Sequence, residues 1–133
     1  MSQENVEVVM RIINAYNKGD LETMLEYISP EFEFQPSGRF MDTKDIYRGR
    51  KGWIDFWEMF QAAWERISIE TVRVEDLGDR VLYLGTFRGR GRQSGVETTT
   101  EAAMIHTLRD RQFIRTVTYA TWAEALEAVG LSE

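Results

Sequence analysis

Residues 96–120 read Val-Glu-Thr-Thr-Thr-Glu-Ala-Ala-Met-Ile-His-Thr-Leu-Arg-Asp-Arg-Gln-Phe-Ile-Arg-Thr-Val-Thr-Tyr-Ala. This stretch predicts two long strands. Val96 to Leu108 is rich in threonine and β-branched residues, as is Phe113 to Ala120, and the polar run Arg109-Asp110-Arg111-Gln112 turns one into the other. Directly behind them, Thr121-Trp122-Ala123-Glu124 has the spacing of a capping box and opens a last helix, which Gly130 closes.

Upstream, Gly78-Asp79 marks a further hairpin. Val81 to Leu84 is apolar on both faces, the mark of a central strand covered on both sides. In the preceding strand Ile67 and Ile69 share one parity and Val72 and Val74 the other, which predicts a bulge or bend near Thr71. Gly89 to Gly95 is expected to be a polar loop. Before the strands, Trp53, Phe56, Trp57, Phe60 and Trp64 recur at helical spacing as an aromatic stripe. Such a stripe packs a helix on a sheet, and part of it can also wall a ligand cavity.

The N-terminal third is helical with one short strand. Val6, Val9, Met10, Ile13 and Tyr16 form one apolar stripe between Ser2, an expected N-cap, and Gly19, an expected stop. Asp20 caps a shorter helix carrying Leu21, Met24, Leu25 and Ile28, which Pro30 is expected to end. Phe32 to Gln35 alternates as a strand, and Ser37 to Arg50 reads as a loop. Helices first and antiparallel strands after them give an α+β layout over residues 1–133 in one domain. The sheet is expected to be a curved antiparallel one wrapped as a cone around three N-terminal helices, with a pocket between sheet and helices.

Composition narrows the function. The net charge of −6 disfavours a partner with a phosphate backbone. With no cysteine and one histidine, His106, thiolate chemistry and multi-histidine metal sites are excluded, and Asp42, Asp45 and Asp55 have no metal-ligand spacing. Arg88, Arg90 and Arg92 alternate with glycines, but one short run in an acidic chain reads as a solvated hairpin tip. No signal-peptide pattern and no membrane-length apolar run occur, so a cytoplasmic protein that binds neither nucleic acid nor membrane is expected. No cofactor is implied.

Four segments together resemble the SnoaL-like polyketide cyclase group of the nuclear transport factor two-like superfamily. They are Tyr16 to Leu21, Tyr47 to Gly52, Thr107 to Asp110 and Glu124 to Leu131, and the likeness runs from end to end. Ketosteroid isomerases share that superfamily and work with an aspartate base and an oxyanion hole of a tyrosine and a protonated aspartate. Carried onto this chain, the base position falls at Gln35, the tyrosine donor at Ile12 and the acid donor at Met104. None of the three does the required work. Losing one such donor costs about 2.7–4 kcal/mol in comparable sites, so that isomerisation is expected to be absent. Two supporting aromatic positions survive in kind, as Tyr27 and Trp57.

The resemblance also sets faces. Thr98, Thr100, Ala102, Met104 and His106 are implied to face the cavity, with Tyr119 beside them, while Thr99, Glu101, Ala103, Ile105 and Thr107 form the outer face. The implied ligand is a small apolar or ring-bearing molecule held near Phe56, Trp57, Met104 and His106. His106 is either a wall residue or the proton-transfer group, with Tyr119 or Tyr27 polarising an oxygen. Glu33 shares parity with Gln35, yet the pair Phe32 and Phe34 argues that Glu33 faces solvent. A binding protein with lyase- or isomerase-like acid–base chemistry is one reading. The other is a non-catalytic homodimeric module that pairs through the outer sheet face.

Overall fold

The computed structural model describes residues 2–36 and 46–133. The chain forms α1 (Ser2–Lys18), α2 (Leu21–Glu26), β1 (Ile28–Gln35), β2 (Tyr47–Arg48) and α3 (Gly49–Ala63). It continues through β3 (Trp64–Asp76), β4 (Arg80–Gly91), β5 (Glu97–Arg109) and β6 (Gln112–Tyr119) to α4 (Trp122–Ala128). The strands make one curved six-stranded sheet in the order β2-β1-β6-β5-β4-β3, an α+β cone with α1 and α3 on its concave side. The sheet is mixed rather than wholly antiparallel, because β1 lies parallel to β6 with Phe34 opposite Thr116. Joining a strand near the N-terminus to one near the C-terminus closes the narrow end.

Several boundaries move from those read in the sequence. Helix α2 stops at Glu26, and Ile28 to Pro30 already belong to β1. Proline ends no helix here. Ile28 is drawn into the sheet because its side chain is buried in the core. Trp64 leaves the aromatic stripe and opens β3, its ring meeting Phe87 edge-on at 5.3 Å. Gly49 and Arg50 begin α3, while positions 37–45 of the expected loop, with Asp42 and Asp45, lie outside the described residues. Arg88 to Gly91 continue β4, so only Arg92 and the residues up to Val96 form the expected polar hairpin turn. Arg90 pairs there with Glu65, and Arg92 donates to the Gln61 carbonyl at 2.9 Å.

On α1 the buried face is wider than the expected stripe. Val8, Val9, Ile12, Ile13 and Ala15 are all buried, with Val6, Met10 and Tyr16 on the flanks. Asn17 ties this helix to the sheet by a two-way bond with the backbone of Ile69, at 2.7 and 2.9 Å. Two of the expected N-caps form, as Asp20 accepts from the Thr23 amide and Thr121 accepts from the Glu124 amide, while Ser2 already lies within α1.

The long β3–β4 ladder is irregular where the sequence predicted a bulge. The β3–β4 register shifts between Thr71 and Arg73, leaving Val72 as an extra residue, half exposed, opposite Gly85. A Cβ on Gly85 would stand 2.8 Å from the Glu70 carbonyl oxygen and 2.9 Å from both Ile69 and Tyr83 side chains. Only a glycine lets the strands close this tightly on their concave side.

The outer side of the sheet carries a second apolar cluster. Helix α4 places Ala125 and Leu126 over Leu82, Leu84, Ala103 and Ile105. Ala103 and Ile105 were expected to form part of an open pairing surface; they are 0% and 6% exposed, because α4 folds back over them. This is also why Val81 to Leu84 is apolar on both faces: one side meets the concave core and the other meets α4.

Gly85→Ala should lower unfolding stability by about 1–3 kcal/mol, since the neighbouring backbone cannot yield. Chemical denaturation of the two proteins checks this.

Candidate functional site

A cavity of about 120 Å³ lies between the concave sheet face and helices α1 and α3. Ile12, Ile13 and Tyr16 come from α1; Trp53, Phe56 and Phe60 from α3. The sheet supplies Ile28, Phe32 and Phe34 from β1, Ile69 and Phe87 from β3 and β4, and an inner row from β5 and β6. That row is Thr100, Ala102, Met104 and His106 beside Phe113, Thr116 and Thr118. Burial rises along it: His106, Phe113 and Thr116 are buried, whereas Thr100, Ala102 and Thr118 are half-buried. The floor of the cavity is therefore at His106 and its opening at the other end of β5.

The walls are held by ring contacts. Phe34 meets Phe56 at 4.7 Å and Trp53 at 5.4 Å, both edge-on, and Phe56 stacks on Phe60 at 5.3 Å. Each such pair adds about 0.5–1.5 kcal/mol beyond the area it buries. Tyr16 is braced from behind by Trp57 at 5.5 Å, and burial pushes its phenol well above the ordinary range.

His106 is the polar centre. Its Nδ1 lies 2.8 Å from Thr116 Oγ1, directly across the β5–β6 ladder, and its ring lies 4.5 Å from that of Phe113. Desolvation lowers its pKa to about 3, so the ring is neutral at physiological pH. Its Nε2 has no hydrogen-bond partner among the described residues. A neutral imidazole in this setting donates or accepts one hydrogen bond through Nε2, according to which way the Thr116 hydroxyl points.

The sequence-derived site residues divide. Phe56, Met104 and His106 line the cavity, as does Ile12 where the isomerases' tyrosine would stand. Tyr119 touches the rim, but it pairs with Ala103 and packs in the outer cluster under α4. Trp57 is buried behind Tyr16 and is not a wall residue. Tyr27 faces outward, where its hydroxyl accepts from Arg11 at 3.1 Å. Gln35 is exposed, and Glu33 forms an ion pair with Arg48 on the outside of β1. Phe32 and Phe34 take the inner parity because two phenyl rings bury more apolar area than a carboxylate and an amide.

Thr116 and Thr118 escaped the sequence reading, and Tyr16 and Trp53 entered it only as members of apolar helix stripes. Tyr16 lies one helical turn beyond Ile12, so a buried hydroxyl is available on α1 after all. The two threonines share a ladder face with His106 and Met104, a relation that appears only once the β5–β6 register is fixed. Among the described residues, no group of three or more acidic, histidine or cysteine side chains is placed to hold a metal ion. Nor is any helix among them long and apolar enough to cross a membrane.

This cone, with its apolar hollow, is the architecture of the SnoaL-like proteins, and the model of the SnoaL-like domain matches residues 9–116. The chain belongs to that family. Its fold is similar to that of an NTF2-like protein of unknown function from Burkholderia pseudomallei (16% identity, TM-score 0.81, 93% of this chain and 95% of that one). It is also similar to TerC co-crystallised with polyporic acid (19%, 0.80, 96% and 98%). A third likeness is to IdmH, a putative polyketide cyclase from Streptomyces antibioticus (22%, 0.77, 96% and 99%). No curated protein matches the chain in sequence.

A depressed histidine pKa contributes stability that is present above the unfolded value of about 6.5 and is lost as pH falls towards 3. The wild type should therefore lose up to about 1.4 kcal/mol per pH unit more than His106→Gln across that window. Urea unfolding of both proteins at a series of pH values measures the difference.

Proposed function

We propose that this protein binds a small hydrophobic molecule in the cone cavity and offers it His106 as a neutral hydrogen-bonding group. The observation that carries this reading is an apolar hollow whose one histidine is anchored through Nδ1 and left free at Nε2. Pockets of this kind use apolar walls for affinity and a few placed polar atoms for orientation. Family membership and the small molecule found with TerC support it.

Chemistry at this site takes a restricted form. A group whose pKa lies near 3 is a poor base at neutral pH. Cyclase- or isomerase-type steps would run by hydrogen-bond polarisation of a ligand oxygen, as a neutral imidazole can do, and not through an imidazolium. Tyr16, with its raised phenol pKa, adds a hydroxyl donor on the α1 side of the cavity wall.

Protein-observed NMR against a panel of aromatic and carbonyl compounds, polyporic acid among them, tests the reading. Saturable shifts should appear at the inner row of β5 and β6. Ala102→Phe, which places a ring at the opening, should weaken binding at least about tenfold, or 1.4 kcal/mol. A panel that produces no saturable shift in a folded protein overturns the proposal.

A further inference from the structure

Among the described residues, four side chains carry a buried polar atom with no hydrogen-bond partner: Trp53 Nε1, Arg90 Nε, His106 Nε2 and Thr118 Oγ1. Arg90 lies beside Glu65, 3.3 Å away. The other three all belong to residues that line the cavity. Leaving such an atom unpaired costs about 1–3 kcal/mol, so three on one small hollow is a concentrated cost in the empty protein. A ligand with matching atoms would remove it.

Resting on the binding reading above, we infer that the ligand class is a neutral single-ring molecule bearing a carbonyl or hydroxyl oxygen, bracketed by Trp53, His106 and Thr118. Three constraints lead there. The first is size. A cavity of about 120 Å³ is close to the engineered cavity of about 150 Å³ that admits benzene, so fused polycyclic skeletons exceed it. The second is charge. Among the described residues no lysine or arginine lines the hollow, and the one acidic wall residue among them, Glu101, has its carboxylate engaged by the Trp122 amide at 2.8 Å. An ionised ligand would lose its hydration with nothing to replace it.

The third constraint is hydrogen-bond polarity. The indole N–H of Trp53 only donates, so the ligand presents an acceptor oxygen towards α3. Thr118 and His106 both donate or accept, and they occupy neighbouring rungs of one ladder face: His106 opposite Thr116, Met104 opposite Thr118. Such diagonal neighbours stand about 7–8 Å apart, a span that one substituted six-membered ring fills. Cyclic enones and phenols meet all three conditions; hydrocarbons, carboxylates and polycycles each fail one.

Titration calorimetry with phenol, benzene, benzoate, 1-naphthol and polyporic acid separates the outcomes. Phenol is expected to bind at least tenfold more tightly than benzene, benzoate or 1-naphthol. Trp53→Phe and Thr118→Val keep the shape and remove a hydrogen-bonding atom. Each should cut the preference for phenol over benzene by about fivefold or more while benzene binding holds, with thermal unfolding confirming that both variants fold. Equal binding of phenol and benzene overturns the inference, as does a preference that neither variant reduces. Tighter binding of 1-naphthol, or binding of polyporic acid alone, overturns it while leaving the binding reading intact. Failure of every probe overturns both.

Discussion

The edge-on packing of Phe34 against Phe56 and Trp53 is the contact on which the rest depends. It fixes β1 to α3, and through β1 it joins the start of the chain to β6 near its end. With β1 held there, Phe32 and Phe34 face inward, Glu33 and Gln35 face outward, and the concave side of the sheet is roofed by rings. The aromatic roof and the sheet bent at Val72 and Gly85 enclose the hollow between them.

The hollow and the polarity of its floor have one origin. Because the sheet curls, the inner row of β5 and β6 faces inward even where the ladder carries threonine and histidine. Thr116 satisfies half of His106, and the buried ring stays neutral because burial strips the charged form of water. The protein thus carries an unprotonated imidazole two residues along the inner face from Met104, the position that the resemblance assigned to the isomerases' acid donor. Gln35, at the position of their base, has left the site altogether.

Much of the fold could be read from the chain. The caps at Asp20 and Thr121, the central strand Val81 to Leu84 and the bend near Thr71 follow from local pattern, whereas the inner parity of Met104 and His106 came from the family resemblance. The errors share a cause. Ile28, Trp64 and Gly89 to Gly91 were misplaced because each is drawn into a strand by a partner far away in sequence: Phe113, Phe87 and the β3–β4 ladder. The parallel pairing of β1 with β6 is long-range in the same sense, and no local signal announces it. Of the site, the stripe on α3 and the lone histidine were visible. Trp53, Tyr16 and the threonines became functional candidates only when three elements met.

Helix α4 presses on the convex side of the same strands whose concave side forms the cavity, and Trp122 sends its indole N–H to the carbonyl of Gly85, at the bend itself. Arg73, beside the bulge, reaches the carbonyl of Ser132. The last dozen residues thereby splint the sheet from behind at its point of greatest flexure. A tag, a partner or a cleavage event that pries this splint loose would slacken the arch and alter the capacity of the chamber on the far side, without ever touching its lining.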